Sequence, residues 1–215
     1  MDCEETMKKI IGILITVALV FPASALALES AKEMSAKALK ECQQGRNANA
    51  SAVRLASFEQ AQALAERALD LDDQLAEGHF ALFCGLGEQM RLDGESLSSL
   101  FGLSRIISAL DRTLELDPNH LDALSAKATF LVKLPRLLGG DPEKGEQLLR
   151  RVIQEDPTSI HARVTLAQIH ADRGEYVEAR VLATLALKHA QDQQRQDLIP
   201  EARTLLTKLQ MVAEL

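Results

Sequence analysis

Residues 160–190, IHARVTLAQIHADRGEYVEARVLATLALKHA, read as two helices joined at Arg173-Gly174. In the first half Ile160, Val164, Leu166, Ala167 and Ile169 make an apolar stripe at helical spacing. Gly174 then offers a place where the backbone can reverse without a Cβ clash. In the second half Tyr176, Ala179, Leu182, Ala183, Ala186 and Leu187 recur at three- and four-residue steps. The alanines let two antiparallel helices approach toward the short end of interaxial distances.

The same form recurs three times upstream. Ser30 to Cys42 reads as a helix, Gln43 to Ser51 (QQGRNANAS) as a loop, and Phe58 to Leu71 as a second helix with Ser57 as its N-cap. Next, Leu75 to Leu86 forms a first helix and Gly87 to Gly94 its connection. The long pattern from Glu95 to Leu116 is a second helix of about six turns. From Asp73 to Pro118 is 45 residues, against a common repeat of about 34, and the excess is expected in that second helix and its connection. The third pair is Leu121 to Lys133 and Glu143 to Gln154, with Asp141-Pro142 as N-cap and first helical residue. Asp72-Asp73, Asp117-Pro118 and Asp156-Pro157 punctuate the pairs. After a polar stretch, Ile199-Pro200 opens a terminal helix that covers the last pair, as the end of a stacked array requires. The fold expected is all-α: one domain over residues 28–215, with repeats at about 30–73, 75–118, 121–157 and 160–190 and a cap at 199–213.

Residues 1–27 read as a cleaved secretory leader. Lys8-Lys9 is a basic start, Ile10 to Phe21 an apolar run of 12 residues, and Ala23-x-Ala25 and Ala25-x-Ala27 offer small-residue cleavage sites. The run is too short for a bilayer core, which needs about 20 apolar residues, so no membrane span is expected after cleavage. The acidic leader Asp2 to Glu5 fits translation from Met7 as well as from Met1. The expected location is the periplasm. Two basic and three acidic residues leave with the leader, so 24 against 31 becomes 22 against 28. A mildly acidic chain lacks the clustered basic face of a nucleic-acid binder. Cys42 and Cys84 either bridge, as an oxidising compartment allows, or stay apart as buried thiols.

In the 34-residue tetratricopeptide template, Leu166-Ala167 occupy the Leu-Gly pair and Ala179 with Ala183 the Ala-x3-Phe pair. The chain therefore resembles a tetratricopeptide-repeat (TPR) protein. The segment LPRLLGGDPEKGEQLLRRVIQEDP, Leu134 to Pro157, is similar to the T component associated with TRAP periplasmic transporters and to related microtubule-dynamics-regulator-like bacterial repeat proteins. That resemblance implies an exported helical protein that pairs with a substrate-binding protein. Gly145 stands where these repeats usually carry Ala.

Inward positions can be counted from each repeat start. They are Glu77, Phe80, Cys84, Gly87 and Glu88; then Asp122, Ser125, Thr129, Val132 and Lys133; then His161, Val164, Gln168, Ala171 and Asp172. Phe80, Cys84, Glu88, Ser125, Thr129, Lys133, Val164 and Gln168 are candidate binding residues, against the reading that they only pack against neighbouring helices. A Lys/Asn clamp for a carboxyl terminus is not formed, since Lys133 stands alone. Leu134, Leu137 and Leu138 make the third connection apolar. They either fold back over their helix pair, or Leu137 and Leu138 meet a partner or line a cavity. The histidines at 79, 120, 161, 170 and 189 lack metal-ligand spacing, and Gly139-Gly140-Asp141 lacks the setting of a phosphate loop. The expectation is a non-enzymatic, cofactor-free binding or scaffold protein whose partner is a periplasmic or envelope protein, such as a peptide or solute-binding protein. The alternative is a carrier of a small hydrophobic ligand held between helices.

Overall fold

A computed structural model describes residues 23–93 and 97–212, with side chains placed over 31–93 and 102–211. The described residues form nine α-helices and no strand. They are α1 (Ala23–Asn47), α2 (Ser51–Leu71), α3 (Ala76–Asp93), α4 (Leu97–Leu116), α5 (Leu121–Lys133), α6 (Pro142–Glu155), α7 (Ile160–Asp172), α8 (Tyr176–Asp192) and α9 (Ile199–Val212). A short 3-10 turn, Arg136–Leu138, interrupts the connection between α5 and α6. Each helix packs on the next, and α1–α3, α5–α7 and α7–α9 also pack directly. The result is an array of antiparallel hairpins closed by α9. The leader reading falls largely on residues 1–22, outside those described, and Ala23–Ala27 form the start of α1. Among the described residues no helix is long and apolar enough to cross a membrane.

The recurring aspartates act as punctuation by one mechanism. Asp72, Asp117 and Asp156 each accept, through Oδ1, the backbone N–H two residues on: Gln74 at 3.0 Å, Asn119 at 3.0 Å and Thr158 at 2.8 Å. These Asx turns end one hairpin and aim the chain into the next first helix. Inside the fourth hairpin Gly174 makes the reversal at φ +78°, a region open to glycine. Asp141 caps α6 by accepting from the Lys144 N–H at 3.0 Å, with Pro142 in the first turn.

The core is a row of small clusters. Ala38, Ala65, Ala81, Leu82 and Ala109 fill the space among α1 to α4. Leu124, Ala128, Leu149, Val152, Leu166 and Ile169 join α5, α6 and α7, and Ala167, Ala179, Ala183, Leu205 and Leu209 join α7, α8 and α9. Each hairpin thus buries its apolar face mainly against its neighbours.

Three expected helix boundaries differ. The expected loop Gln43–Ser51 shrinks to residues 48–50, because α1 continues to Asn47 and α2 begins at Ser51. Ser57 is accordingly inside α2 and caps nothing. Gly45 is buried within α1, and a Cβ there would lie 2.5 Å from Cε1 of the Phe58 ring. It is a packing glycine. Likewise Gly87 lies inside α3, which runs to Asp93, so the extra length of the second repeat falls in its first helix as well as its second: α3 has 18 residues where α5 and α7 have 13. A single helical glycine costs only about 1 kcal/mol, too little to end a helix that tertiary packing supports.

The sulfurs of Cys42 in α1 and Cys84 in α3 are bonded, with Cα atoms 6.4 Å apart, inside the range that a bridge requires. Of the two readings open in the sequence, the structure takes the disulfide. It fastens the first hairpin to the second beside Phe58 and Ala61.

Gly145 marks a tight crossing. A Cβ added there would stand 2.8 Å from the Ala128 carbonyl oxygen and 2.7 Å from Cγ2 of Val132. Alanine normally gains about 1 kcal/mol over glycine in a helix, but overpacking against a backbone oxygen costs about 1–3 kcal/mol. Gly145→Ala should therefore lower the thermal midpoint; a raised midpoint would mean that α5 and α6 do not cross this closely. Replacing both Cys42 and Cys84 by alanine removes a constraint spanning 42 residues of sequence, worth about 2–4 kcal/mol. The urea midpoint should fall by a matching amount, and an unchanged midpoint would show the bridge does not stabilise the fold.

Candidate functional site

The first helices of the hairpins, α1, α3, α5 and α7, face a common groove of about 480 Å³ that is open to solvent. The floor is apolar: Leu39 from α1, Phe80 and Phe83 from α3, Ala126 and Phe130 from α5, and Val164 from α7. The Phe80 and Phe83 rings stack with centroids 5.7 Å apart, and Phe83 meets Phe130 edge to face at 6.2 Å. On its other side Phe80 lies 4.4 Å from the ring of His120, the residue whose Nδ1 accepts from the Ala123 N–H at the start of α5. These contacts join the second and third hairpins at a place where α3 and α5 meet through side chains. The remaining wall is polar or charged, with Gln43, Arg46, Arg91, Asp122, Ser125, Thr129, Lys133, His161, Thr165, Arg195 and Glu201.

Two carboxylates behind the wall fix the guanidinium groups. Glu88 is buried and accepts from Arg46 Nε at 2.7 Å and from Arg91 Nη1 at 3.1 Å. Arg46 Nη2 also donates to Cys84 Sγ at 3.2 Å. Asp197 accepts from Arg195 Nε at 3.0 Å and Nη2 at 2.9 Å. Burial alone would raise the Asp197 pKa, but the bonds and charge of Arg195 outweigh it and hold the carboxyl below its ordinary value. His161 opens onto the groove, yet the protein crowds it. Loss of water is the largest influence on its imidazole, followed by repulsion from Arg46. Arg195 adds to that repulsion, while Glu201 and Asp122 pull the other way, and the pKa is lowered.

The groove gathers Phe80, Cys84, Ser125, Thr129, Lys133 and Val164 from the candidates counted along the repeats. Glu88 sits behind the wall as the anchor of two arginines. Gln168 lies outside the lining, exposed, and its amide donates to Asp172 at 2.7 Å. The expectation that Leu137 and Leu138 fold back over their helix pair does not hold for these two: they are 95% and 56% exposed. The cause is the loop's own framework. Gly139 takes φ +89°, Gly140 fits where a Cβ would be 1.8 Å from the Leu134 carbonyl oxygen, and the Asp141 N–H bonds the Leu131 carbonyl at 2.8 Å. Neither leucine lines the groove. Counting repeat positions missed Leu39, Gln43 and Arg46, which recur at four- and three-residue steps on one side of α1, because inward positions were counted only in the second, third and fourth repeats. It also missed Arg195 and Glu201, which lie outside the first helices of the repeats.

What the arrangement offers is adhesion: an apolar floor, hydroxyls and fixed cations. Among the described residues no group of three or more His, Cys, Asp and Glu is placed to hold a metal ion. Fold and site together define a helical-hairpin repeat array. The tetratricopeptide repeat family profile matches residues 136–209. Among solved structures, MamA from residue 41 to its end, from Desulfovibrio magneticus RS-1, is 18% identical, with 81% of this chain and 96% of that chain covered and a TM-score of 0.44. A MamA RS-1 double mutant scores alike at 18% and 0.44, over 81% and 95% of the two chains. YrrB, described as a TPR protein with an unusual peptide-binding site, is 17% identical over 68% of this chain and 84% of that one, with a TM-score of 0.36. No curated protein matches the chain in sequence.

Ser125 provides a direct probe of the wall. Its Oγ is buried and has no hydrogen-bond partner among the described residues, a state that costs about 1–3 kcal/mol. Ser125→Ala should leave stability unchanged or raise it by about 1 kcal/mol. A destabilised variant in chemical denaturation would show that the hydroxyl has a partner.

Proposed function

We propose that this protein is a non-enzymatic scaffold that acts outside the cytosol by holding an extended segment of a partner protein in the concave groove. The observation that carries the reading is the convergence of four first helices on one open groove with an aromatic floor and a fixed, charged wall. Repeat arrays use such concave surfaces for extended ligands. The groove's openness and mixed polarity favour a peptide segment over an acyl chain, which needs an enclosed apolar cavity; a hydrophobic-ligand carrier is the less favoured reading. Export is supported by the pattern of residues 1–27 and by a Cys42–Cys84 bridge, since bridges persist in oxidising compartments such as the periplasm. The finer reading, an accessory subunit pairing with the periplasmic substrate-binding protein of a TRAP-type transporter, rests on the likeness of Leu134–Pro157 alone. In that reading Leu137 and Leu138, held out in water, are a second contact with the partner.

Affinity capture from periplasmic extract, followed by mass spectrometry of bound protein and of extractable lipid, tests this. A stoichiometric protein is expected. Phe80→Asp should reduce its capture at least about tenfold, the effect of losing an aromatic anchor, while circular dichroism shows the helices intact. Undiminished capture by the folded variant would remove the groove from the proposal, and a co-purifying acyl compound without protein would favour the carrier.

A further inference from the structure

Two of the arginines that line the groove come from the two ends of the array: Arg46 from α1, and Arg195 from the connection between α8 and α9. Each is half-buried, with 26% and 28% of the side chain exposed, and each is backed by a carboxylate that is almost out of water, Glu88 at 6% and Asp197 at 4%. A guanidinium has five N–H donors in a planar fork. Arg46 uses one on Glu88 and one on Cys84 Sγ; Arg195 uses two on Asp197. Three N–H groups on each have no partner among the described residues, and both residues line the groove. The acidic residues of the same rim, Asp122 and Glu201, form no ion pair with either arginine among the described residues. His161 is a further polar group facing the same space.

We propose that Arg46 and Arg195 form a subsite for a carboxylate carried by the segment bound in the groove, next to the Phe80–Phe83–Phe130 floor. The reading rests on the groove-binding function above and gives it a ligand chemistry: an apolar side chain with a carboxylate close by. Carboxylates match the planar fork of arginine in two-bond geometry. The backing by Glu88 and Asp197 means the guanidinium groups need not be ordered when ligand arrives, which removes part of the usual loss on binding. The rim carries Asp122 and Glu201 as well, so the subsite selects for the position of the charge and does not attract every polyanion.

The test uses the full folded chain and short synthetic peptide pools, acetylated and amidated at their ends, random except for a central Leu and, nearby, a fixed Glu in one pool or Gln in the other. A third pool has Gln and a free terminal carboxylate, to tell a side-chain carboxylate from a chain end. Binding is read by fluorescence anisotropy. Either carboxylate-bearing pool should bind about tenfold tighter than the Gln pool with blocked ends. That preference should fall to about unity in the double variant Arg195→Gln, Asp197→Asn, which strands no charge, and in Arg46→Gln. Equal binding of all three pools by the unaltered protein, or a preference that survives both variants, overturns the carboxylate subsite and leaves the groove reading standing. Binding of all three pools that Phe80→Asp does not weaken, or no binding of any pool, overturns the groove reading and the subsite with it.

Discussion

Two antiparallel helices approach most closely where small residues stand at the crossing. That condition is written through the whole chain. Ala61, Ala65 and Ala68 line the contact face of α2, and Gly85 of α3 lies where a Cβ would come 2.9 Å from the Gln62 backbone nitrogen. Gly145 does the same between α6 and α5. The resulting core is thin, and its clusters follow one another along the array. Each hairpin then depends on its neighbours for burial, and no hairpin carries the fold by itself. The Cys42–Cys84 bridge acts on this weakness at the joint between the first two hairpins, where among the described residues the first hairpin has a neighbour on one side only.

Where close crossing is relaxed, a groove appears. Between the second and third hairpins the aromatic rings of Phe80, Phe83, Phe130 and His120 occupy the gap that alanines close elsewhere. Rings of that size hold the two hairpins together without bringing α3 and α5 backbones into close contact. The same rings therefore serve as inter-repeat packing and as the floor of the groove, so the two readings of Phe80 in the sequence, anchor and packing residue, are compatible.

The hairpins were legible because their signals are local. Apolar residues at three- and four-residue steps and an aspartate at each junction need no knowledge of the rest of the chain. Gly45 and Gly87 misled because a glycine required by a neighbouring ring, or merely tolerated inside a helix, looks in sequence like one required by a turn. The Cys42–Cys84 pairing could not be chosen from spacing, since it depends on how α1 and α3 lie against each other. The groove was legible in part for the same reason as the hairpins: Phe80, Ser125, Thr129, Lys133 and Val164 repeat at fixed offsets within first helices. Arg46 and Arg195 do not. They line one groove from α1 and from the connection between α8 and α9, a juxtaposition that no single motif encodes. The exposure of Leu137 and Leu138 had a local cause, Gly139 and Gly140, but an apolar loop reads alike whether its leucines point in or out.

Net charge and local charge also separate here. The chain carries 24 basic against 31 acidic residues, yet Arg46, Arg91, Lys133 and Arg195 gather on one concave wall. Their usefulness lies in being fixed. A flexible surface lysine gives up side-chain freedom to meet a ligand, and its ion pairs with solvent-exposed partners are worth little. A guanidinium already tied to a buried carboxylate has given up that freedom on folding, so its remaining donors meet a ligand in a set direction. Glu88 and Asp197 thus do more than neutralise their arginines. By holding Arg46 and Arg195 at the rim, with the acidic Asp122 and Glu201 on the same wall, they turn a locally balanced set of charges into a patterned one. Patterned charge discriminates between partners more than it adds affinity.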